Sequence, residues 1–248
     1  MRVLFTILSG PCVALGLTFS PGAHAENCVY QPALSIHARE AVLILAGYGG
    51  KAAMYESAAE LLGRNGIASY RCDFSNTAAE QDRSALQDVE VVLKEYKRLV
   101  ELSGASHIGI VGTSIGALAA ILVSEKVPVA WMALHAPALY PDKQLSVPIS
   151  SVLGNREVYA QLREWRKQSL NWRDSQVLRA LHHFGGPVLM AKSGEDHNVP
   201  PKSIVNSMKA ARSAPTLVVI EKATHDLSPQ QLDYLFDAIL EWMPRTKD

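Results

Sequence analysis

The sequence lacks an excess of charge of either sign. Its 24 Lys and Arg residues balance its 24 Asp and Glu residues, so the formal net charge at pH 7 is zero. Proteins that bind nucleic acid or anionic membrane surfaces usually carry a strong basic bias, so the balance disfavours both partners. The sequence also contains no internal repeat and no His or Cys spacing typical of a metal site. We therefore expect a small-molecule partner, no bound metal and no cofactor.

Cysteine is scarce, with Cys12, Cys28 and Cys72 as the three examples. Cys12 lies in an N-terminal apolar segment that we expect to be removed. In an oxidising compartment Cys28 and Cys72 would be able to form a disulfide. The alternative is that Cys72 is simply a small buried residue at a strand end. Both interpretations stay open, because the sequence does not give the distance between the two Cα atoms.

Long hydrophobic runs are absent apart from Val3 to Phe19, which follows Arg2. This run is interrupted by Gly and Pro and is shorter than the roughly 20 residues of a membrane-spanning helix, so an uncleaved anchor is the less favoured reading. Small residues at Ala23 and Ala25 complete the pattern of a secretory signal peptide. We predict cleavage after Ala25 and export to the periplasm or the medium. The mature chain, residues 26–248, would then have no stable membrane span.

The rest of the chain has the composition of one compact domain, with 48% hydrophobic and 19% charged residues over the whole sequence. Short apolar runs rich in β-branched residues alternate with segments of helical periodicity, which predicts an α/β fold with a mostly parallel sheet flanked by helices. The predicted strands are Ala41–Ala46, Ile67–Arg71, His107–Gly112, Val129–His135, Val188–Ser193 and Thr216–Glu221, with an edge strand at Val29–Ile36. The predicted helices are Ala79–Leu102, Ser114–Glu125, Pro201–Arg212 and Pro229–Trp242.

Residues 136–186 form an insertion that is longer than the connection between two strands requires. We predict a small helical cap there, with helices at Arg156–Ser169 and Ser175–His183. Four apolar side chains either line a pocket or pack the cap onto the core: Tyr159, Leu162, Trp165 and Trp172. Six basic side chains favour an acidic substrate or simply form a solvated helix face: Arg156, Arg163, Arg166, Lys167, Arg173 and Arg179.

The motif Gly112-Thr113-Ser114-Ile115-Gly116 lies between a predicted buried strand and a predicted helix. A sharp strand-to-helix turn needs small residues on both sides, and it exposes the central serine above the sheet. The helix N-terminus stabilises negative charge that develops beside the serine. The motif therefore predicts that Ser114 is a nucleophile.

From Ala41 to the C-terminus the sequence resembles the α/β-hydrolase superfamily, in its serine esterase and lipase-like branch. The resemblance implies a catalytic acid after a later strand and a catalytic His after the last strand. The loop Ser193 to Pro200 supplies Asp196 as the expected acid. The loop after the last strand supplies His225 as the expected base. Glu195 and His197 are the alternatives for these two roles.

The segment Leu45 to Gly50 resembles the family's oxyanion loop, with Ala46 where His is usual. By position, the backbone N–H groups of Tyr48 and Ile115 would bind the oxyanion of a tetrahedral intermediate.

These residues imply a serine hydrolase that cleaves a carboxylic ester or related acyl bond through an acyl-enzyme at Ser114. The expected partner is a small-molecule acyl substrate. The alternatives are an exported peptidase, thioesterase or acyltransferase with the same triad, and a non-catalytic binding protein of this fold. Nothing in the sequence specifies the acyl group, the leaving group or the oligomeric state.

Overall fold

A computed structural model of the protein describes residues 28–35, 39–73 and 82–244. The predicted signal peptide, residues 1–25, lies outside the described residues. Within them, no helix is both long enough and apolar enough to cross a membrane.

The described residues form a seven-stranded sheet whose strands follow the order β1-β3-β2-β4-β5-β6-β7. The strands are β1 (Cys28–Gln31), β2 (Glu40–Leu45), β3 (Ala68–Cys72), β4 (His107–Thr113), β5 (Trp131–His135), β6 (Val188–Ser193) and β7 (Thr216–Ile220). Strand β1 is antiparallel to β3, and all other neighbours are parallel. This arrangement confirms the predicted α/β class. The edge strand ends at Gln31 rather than Ile36, since Pro32 cannot donate a ladder hydrogen bond.

Eight α-helices accompany the sheet in the described part of the chain. They are α1 (Glu56–Arg64), α2 (Ala85–Ser103), α3 (Ile115–Val123), α4 (Ile149–Leu153), α5 (Arg156–Arg166), α6 (Gln176–His183), α7 (Pro201–Ala210) and α8 (Pro229–Trp242). Helix α1 packs against α8, while α2, α3, α6 and α7 form a contiguous row. Right-handed crossovers explain the two groups, because the chain reverses its direction across the sheet after β3. The groups therefore cover opposite faces.

Several helices also differ from what the sequence predicts, including the short α4, which has no predicted counterpart. Helix α1 has no predicted counterpart, although it makes the crossover from β2 to β3. Helix α6, expected in the cap, packs against α3 and α7 and so belongs to a layer that flanks the sheet. The part of the insertion that lies outside these layers is built around α4 and α5.

The sheet core is almost entirely apolar at its centre. Residues Ala41 to Leu45 of β2 and all nine residues of α3 are buried. Strands covered on both faces read as continuous hydrophobic runs, which explains why β2, β4 and β5 could be recognised from sequence. This core holds the carboxyl ends of the strands, from which the site is built.

Candidate active site

Ser114 lies at the turn between β4 and α3 and has the strained backbone angles φ 55° and ψ −112°. A positive φ is uncommon for a residue with a side chain and costs on the order of 1–3 kcal/mol. The turn is held because the Ser114 N–H donates to the His135 carbonyl at 2.9 Å. The Ser114 carbonyl accepts from the Ala138 N–H at 3.1 Å. Both bonds join the turn to the end of the neighbouring strand β5.

The two glycines of the motif are required by close backbone contacts. A Cβ on Gly112 would lie 2.6 Å from the Gly116 carbonyl oxygen. A Cβ on Gly116 would lie 2.4 Å from the carbonyl oxygens of both Leu45 and Ala46. The motif therefore lets α3 start directly against the end of β2, where the predicted oxyanion loop begins.

The side chains of His225 and Asp196 are in direct contact. His225 Nδ1 lies 2.9 Å from Asp196 Oδ2. The other carboxylate oxygen, Oδ1, accepts from the backbone N–H groups of Asn198 at 2.7 Å and Val199 at 2.9 Å. Burial raises the pKa of Asp196, but the hydrogen bonds from His225 and from these two amides outweigh it, so the net pKa is lowered. The carboxylate is thus kept charged beside the imidazole.

Backbone hydrogen bonds join the two loops that carry these side chains. Gly194 N–H donates to the Ile220 carbonyl at 3.0 Å, and Glu195 N–H donates to the Ala223 carbonyl at 2.8 Å. The alternative acid Glu195 and the alternative base His197 both have exposed side chains. The loop geometry thus presents Asp196, and neither neighbour, to His225.

Ser114 and His225 line one cavity of about 500 Å³. Among the described residues the Ser114 hydroxyl and the His225 ring are not hydrogen-bonded to each other, whereas His225 and Asp196 are. Such bonds often tighten only when substrate binds. Tyr48 and Ile115, the predicted oxyanion-binding residues, line the same cavity.

The predicted oxyanion loop lies beside the nucleophile. A Cβ on Gly47 would be 3.5 Å from the Ser114 Cβ. The loop turns through a hydrogen bond from Gly50 N–H to the Gly47 carbonyl at 2.9 Å. Asp73 then anchors its far end, accepting from Ala52 N–H at 2.8 Å. Ala46, which stands where His is usual, does not prevent the loop from adopting this conformation.

A sequence profile described as "Serine aminopeptidase, S33" matches residues 36–173, which is more than half of the chain's 248 residues. The chain belongs to the serine aminopeptidase S33 family. This membership confirms the resemblance to the α/β-hydrolases that the Ser114 motif indicates, and it supports a hydrolase. Among curated proteins, no significant match to the chain is found.

Solved structures of low sequence identity share the fold of this S33-family chain. A monoacylglycerol lipase from Paleococcus ferrophilus is 17% identical with a TM-score of 0.62, covering 88% of this chain and 98% of its own. Est1E from Butyrivibrio proteoclasticus with bound ferulic acid is 17% identical with a TM-score of 0.64, covering 87% and 94%. A thermophilic esterase from Thermogutta terrifontis is 15% identical with a TM-score of 0.65, covering 91% and 95%. At these identities the likeness establishes the fold.

The insertion of this S33-family protein, residues 136–186, contributes unequally to the cavity. Of the four apolar candidates, Tyr159 lines the cavity, whereas Leu162 is buried in the core. Trp165 packs against the core, and Trp172 stacks on the His182 ring at 4.3 Å. Of the six basic candidates, Arg166 lines the cavity.

Two residues of the cavity wall, Tyr55 and Tyr140, are not predicted by any sequence pattern. Tyr55 precedes α1, and its hydroxyl donates to Thr113 Oγ1 at 3.4 Å. Tyr140 is 1% exposed and lies in the chain that leaves β5. Neither belongs to a motif, and each reaches the cavity only through the tertiary fold.

His135 lies behind the His225 and Asp196 pair of this S33-family protein rather than in the cavity wall. Its Nε2 is 2.9 Å from Ser193 Oγ, which joins the ends of β5 and β6. Its ring centroid lies 6.5 Å from that of His225. Burial lowers the pKa of His135 to about 4, and the nearby His225 adds to the effect. The ring is therefore neutral at pH 7 and supports the site structurally.

Cys28 and Cys72 are joined by a disulfide between β1 and β3, with their Cα atoms 4.0 Å apart. They are directly paired in the register of the two strands. In the described ranges, the group of potential metal ligands consists of these two sulfurs and the Glu95 carboxylate. Sulfurs in a disulfide are not thiolates, so this group lacks the ligands of a thiolate metal site.

Proposed function

We propose that the protein is a serine hydrolase that cleaves carboxylic esters of small molecules through an acyl-enzyme at Ser114. The observation that carries the proposal is the position of Ser114, at a strained strand-to-helix turn in the cavity that His225 also lines. The Asp196 carboxylate orients that imidazole. Family membership supports hydrolysis, and the similarity to a monoacylglycerol lipase and to esterases favours esters over other acyl bonds.

In the acylation step, Ser114 Oγ attacks the ester carbonyl while His225 accepts the hydroxyl proton at Nε2. Because Nδ1 donates its hydrogen to Asp196, Nε2 is the nitrogen with a free lone pair. The carbonyl oxygen becomes an oxyanion, which the N–H groups of Tyr48 and Ile115 would stabilise. Breaking the ester C–O bond transfers the His225 proton to the departing alcohol and leaves the acyl group on Ser114.

In the deacylation step, a water molecule takes the place of the alcohol. His225 accepts one proton from the water, and the resulting hydroxide attacks the acyl carbonyl. Collapse of the second tetrahedral intermediate breaks its bond to Ser114 and returns the proton from His225 to Ser114 Oγ. The products are a carboxylic acid and the regenerated enzyme.

Amide hydrolysis is a second candidate, because the matching family is described as a serine aminopeptidase. An aminopeptidase must bind a substrate ammonium, for which a carboxylate is the natural partner. Among the described residues that line the cavity, the exposed Asp226 is the carboxylate available, whereas the cation Arg166 is buried in the same wall. This charge distribution favours esters over peptides with a free N-terminus. Matched aminoacyl anilides and acetate esters would separate the two activities.

The proposed site of action is outside the cytoplasm, after removal of residues 1–25. The short apolar N-terminal run and the small residues before position 26 support this proposal. A disulfide between Cys28 and Cys72 would be stable in such an oxidising compartment. An intact mass of the exported protein that corresponds to residues 26–248 would support cleavage after Ala25, and a mass that retains the N-terminal run would contradict it.

The decisive experiment is labelling with a fluorophosphonate, followed by mass spectrometry of the peptides and an assay with 4-nitrophenyl acetate. We expect one adduct on Ser114 in the wild type and none in Ser114→Ala. The control variant Ser106→Ala, which removes an exposed serine, should label and turn over like the wild type. A folded wild type that neither labels nor hydrolyses any ester would favour the non-catalytic binding protein instead.

A further inference from the structure

Arg166 is a buried cation in the wall of the catalytic cavity. It extends from α5, and the residue is 3% exposed. Its Nε donates to the Leu139 carbonyl at 2.7 Å, and one terminal nitrogen lies 3.5 Å from the Asn198 carbonyl oxygen. In the described part of the chain, no Asp or Glu carboxylate forms an ion pair with it. Two carbonyl dipoles thus hold a guanidinium that has no anionic partner.

A buried cation without a counter-ion is energetically costly, which makes this position unusual. The Tyr140 ring, whose centroid is 5.0 Å from the guanidinium carbon, offsets part of the cost through a cation–π contact. Burial lowers the pKa of Arg166, but arginine remains protonated throughout the physiological range. Asp196 also acts on Arg166 electrostatically, but its two oxygens are bonded to His225 and to backbone amides.

The Tyr140 hydroxyl, which lies beside the Arg166 guanidinium, provides a second observation. The residue is 1% exposed, and its hydroxyl interacts with a guanidinium that can only donate, so among the described residues no acceptor pairs with the hydroxyl's own hydrogen. Buried hydroxyl hydrogens are normally paired, so this one can donate to a ligand that enters the cavity. Tyr140 and Arg166 line the same cavity as Ser114.

We propose that Arg166 and Tyr140 form a subsite that binds a carboxylate carried by the substrate, next to the ester that Ser114 attacks. The inference rests on the proposed function and narrows its substrate class to esters with a free carboxylate. A guanidinium supplies only donors and a phenol can donate its O–H hydrogen, so together they complement an ionised carboxylate. A substrate carboxylate would neutralise the buried charge and give the Tyr140 hydroxyl an acceptor.

The other Lys and Arg residues of the insertion do not serve this purpose, beginning with Lys143, which is exposed outside the cavity wall. Arg179 is paired with Asp142 at 2.6 Å, and Lys167 with Glu164 at 2.6 Å. Arg173 is exposed and lies over the Trp172 ring. Arg156 is exposed, and Arg163 is half-buried outside the cavity wall. The charge that reaches the site therefore comes from Arg166.

The test compares matched esters that differ only in one charge. On the acyl side these are the 4-nitrophenyl monoester of glutaric acid and its terminal amide analogue. On the alcohol side they are the acetate esters of 4-hydroxybenzoic acid and of 4-hydroxybenzamide. The quantity measured is the ratio of kcat/KM for the charged ester to kcat/KM for the neutral one. This ratio is independent of the fraction of active enzyme, so it is still interpretable if a variant folds incompletely.

For the wild type we expect the charged member of at least one pair to be preferred by about tenfold or more, as a charge-assisted hydrogen bond would give. Arg166→Gln should reduce that ratio by at least about tenfold. Tyr140→Phe, which removes only the hydroxyl, should reduce it by a smaller factor. Arg156→Gln, on the exposed face of the same helix, should leave it unchanged. Equal ratios in the wild type and in both cavity variants would overturn the subsite.

A binding measurement separates this inference from the proposed ester hydrolysis. Glutarate is titrated calorimetrically into Ser114→Ala, into Ser114→Ala with Tyr140→Phe, and into Ser114→Ala with Arg166→Gln. Binding that weakens in both double variants supports the subsite even if no ester is hydrolysed. If neutral esters are hydrolysed but glutarate does not bind at millimolar concentration, the subsite is refuted while the hydrolase stands.

Discussion

The His225 ring contacts the Asp196 carboxylate, and both oxygens of that carboxylate take part in hydrogen bonds. Oδ2 lies 2.9 Å from His225 Nδ1, and Oδ1 accepts from the amides of Asn198 and Val199. This fixes the imidazole orientation before any substrate binds. Because the pKa of Asp196 is lowered in the folded protein, its ionised carboxylate adds to the free energy of unfolding at pH values above the pKa of Asp in the unfolded chain. This contribution is lost as the pH falls through the lower pKa of the folded protein.

Asp196→Asn should retain the fold and lose most of the activity. The amide oxygen of Asn can still accept from the two backbone N–H groups. The uncharged side chain, however, no longer stabilises the protonated ring of His225. We expect kcat for a neutral ester to fall by roughly 10⁴-fold, as in other Ser-His-Asp enzymes. Circular dichroism checks the fold, and steady-state kinetics the activity. Glu195→Gln removes the exposed neighbouring acid and should change kcat less than twofold, roughly. The opposite pattern would identify Glu195 as the acid.

Gly116→Ala should destabilise the protein because its Cβ would lie 2.4 Å from two backbone oxygens at the end of β2. Backbone atoms cannot move aside as a flexible side chain can. We expect the free energy of unfolding to fall by about 3 kcal/mol, at the upper end of overpacking costs. The matched control is Gly185→Ala, where the added Cβ has no neighbour within 4 Å and should change stability by less than about 0.5 kcal/mol. Urea unfolding of both variants measures the difference, and equal values would contradict the close packing.

Much of the fold could be predicted because its signals are local. The buried strands β2, β4 and β5 are continuous apolar runs, and Ser228 with Pro229 marks the start of α8. The Ser114 motif is equally local, since its strand, turn and helix are contiguous. The expected positions of Asp196 and His225 needed the order of elements in the family as well. In the structure these two side chains meet across 29 residues of sequence.

The features that escaped prediction depend on long-range packing. Helix α1 has two short apolar stretches separated by Glu60, and its buried face forms through contacts with other elements, chiefly β3 and α8. Helix α6 belongs to the layer beside the sheet because it packs against α3 and α7, and the periodicity of its own sequence does not reveal those contacts. Arg166 is one of seven Lys and Arg residues in the insertion, and periodicity cannot distinguish the one that is buried. Its burial follows from contacts with Leu139, Tyr140 and Asn198, which lie more than twenty residues away in sequence.

The Cys28–Cys72 disulfide should contribute measurably to stability because it closes a loop with a sequence separation of 44 residues. The chain-entropy model gives about 4 kcal/mol for a loop of this length, and measured values are often lower. We expect a Cys28→Ala, Cys72→Ala double variant to lose about 2–4 kcal/mol of unfolding free energy. Dithiothreitol should lower the stability of the wild type by the same amount and leave the variant unaffected. Identical unfolding curves for oxidised and reduced wild type would refute the contribution.

The stability of the protein should depend on pH through His135. Its pKa is about 4 in the folded protein, against 6.5 as the ordinary value, because the ring is buried and lies near His225. Between these values the unfolded chain binds a proton that the folded protein does not. The folded state is therefore favoured fully above pH 6.5 and progressively less as the pH falls towards 4.

At 1.36 kcal/mol for each pKa unit, the loss attributable to His135 is about 3 kcal/mol between pH 7 and pH 4. The measurement is urea unfolding at several pH values for the wild type and for His135→Gln, which keeps a hydrogen-bonding group near Ser193. The variant is expected to be less stable at pH 7. The gap in unfolding free energy between wild type and variant should then narrow by about 3 kcal/mol towards pH 4. The control variant His107→Gln removes an exposed ring and should follow the wild type. A constant gap for His135→Gln would mean that burial does not lower the pKa of His135, because the ring would then gain its proton equally in the folded and the unfolded protein.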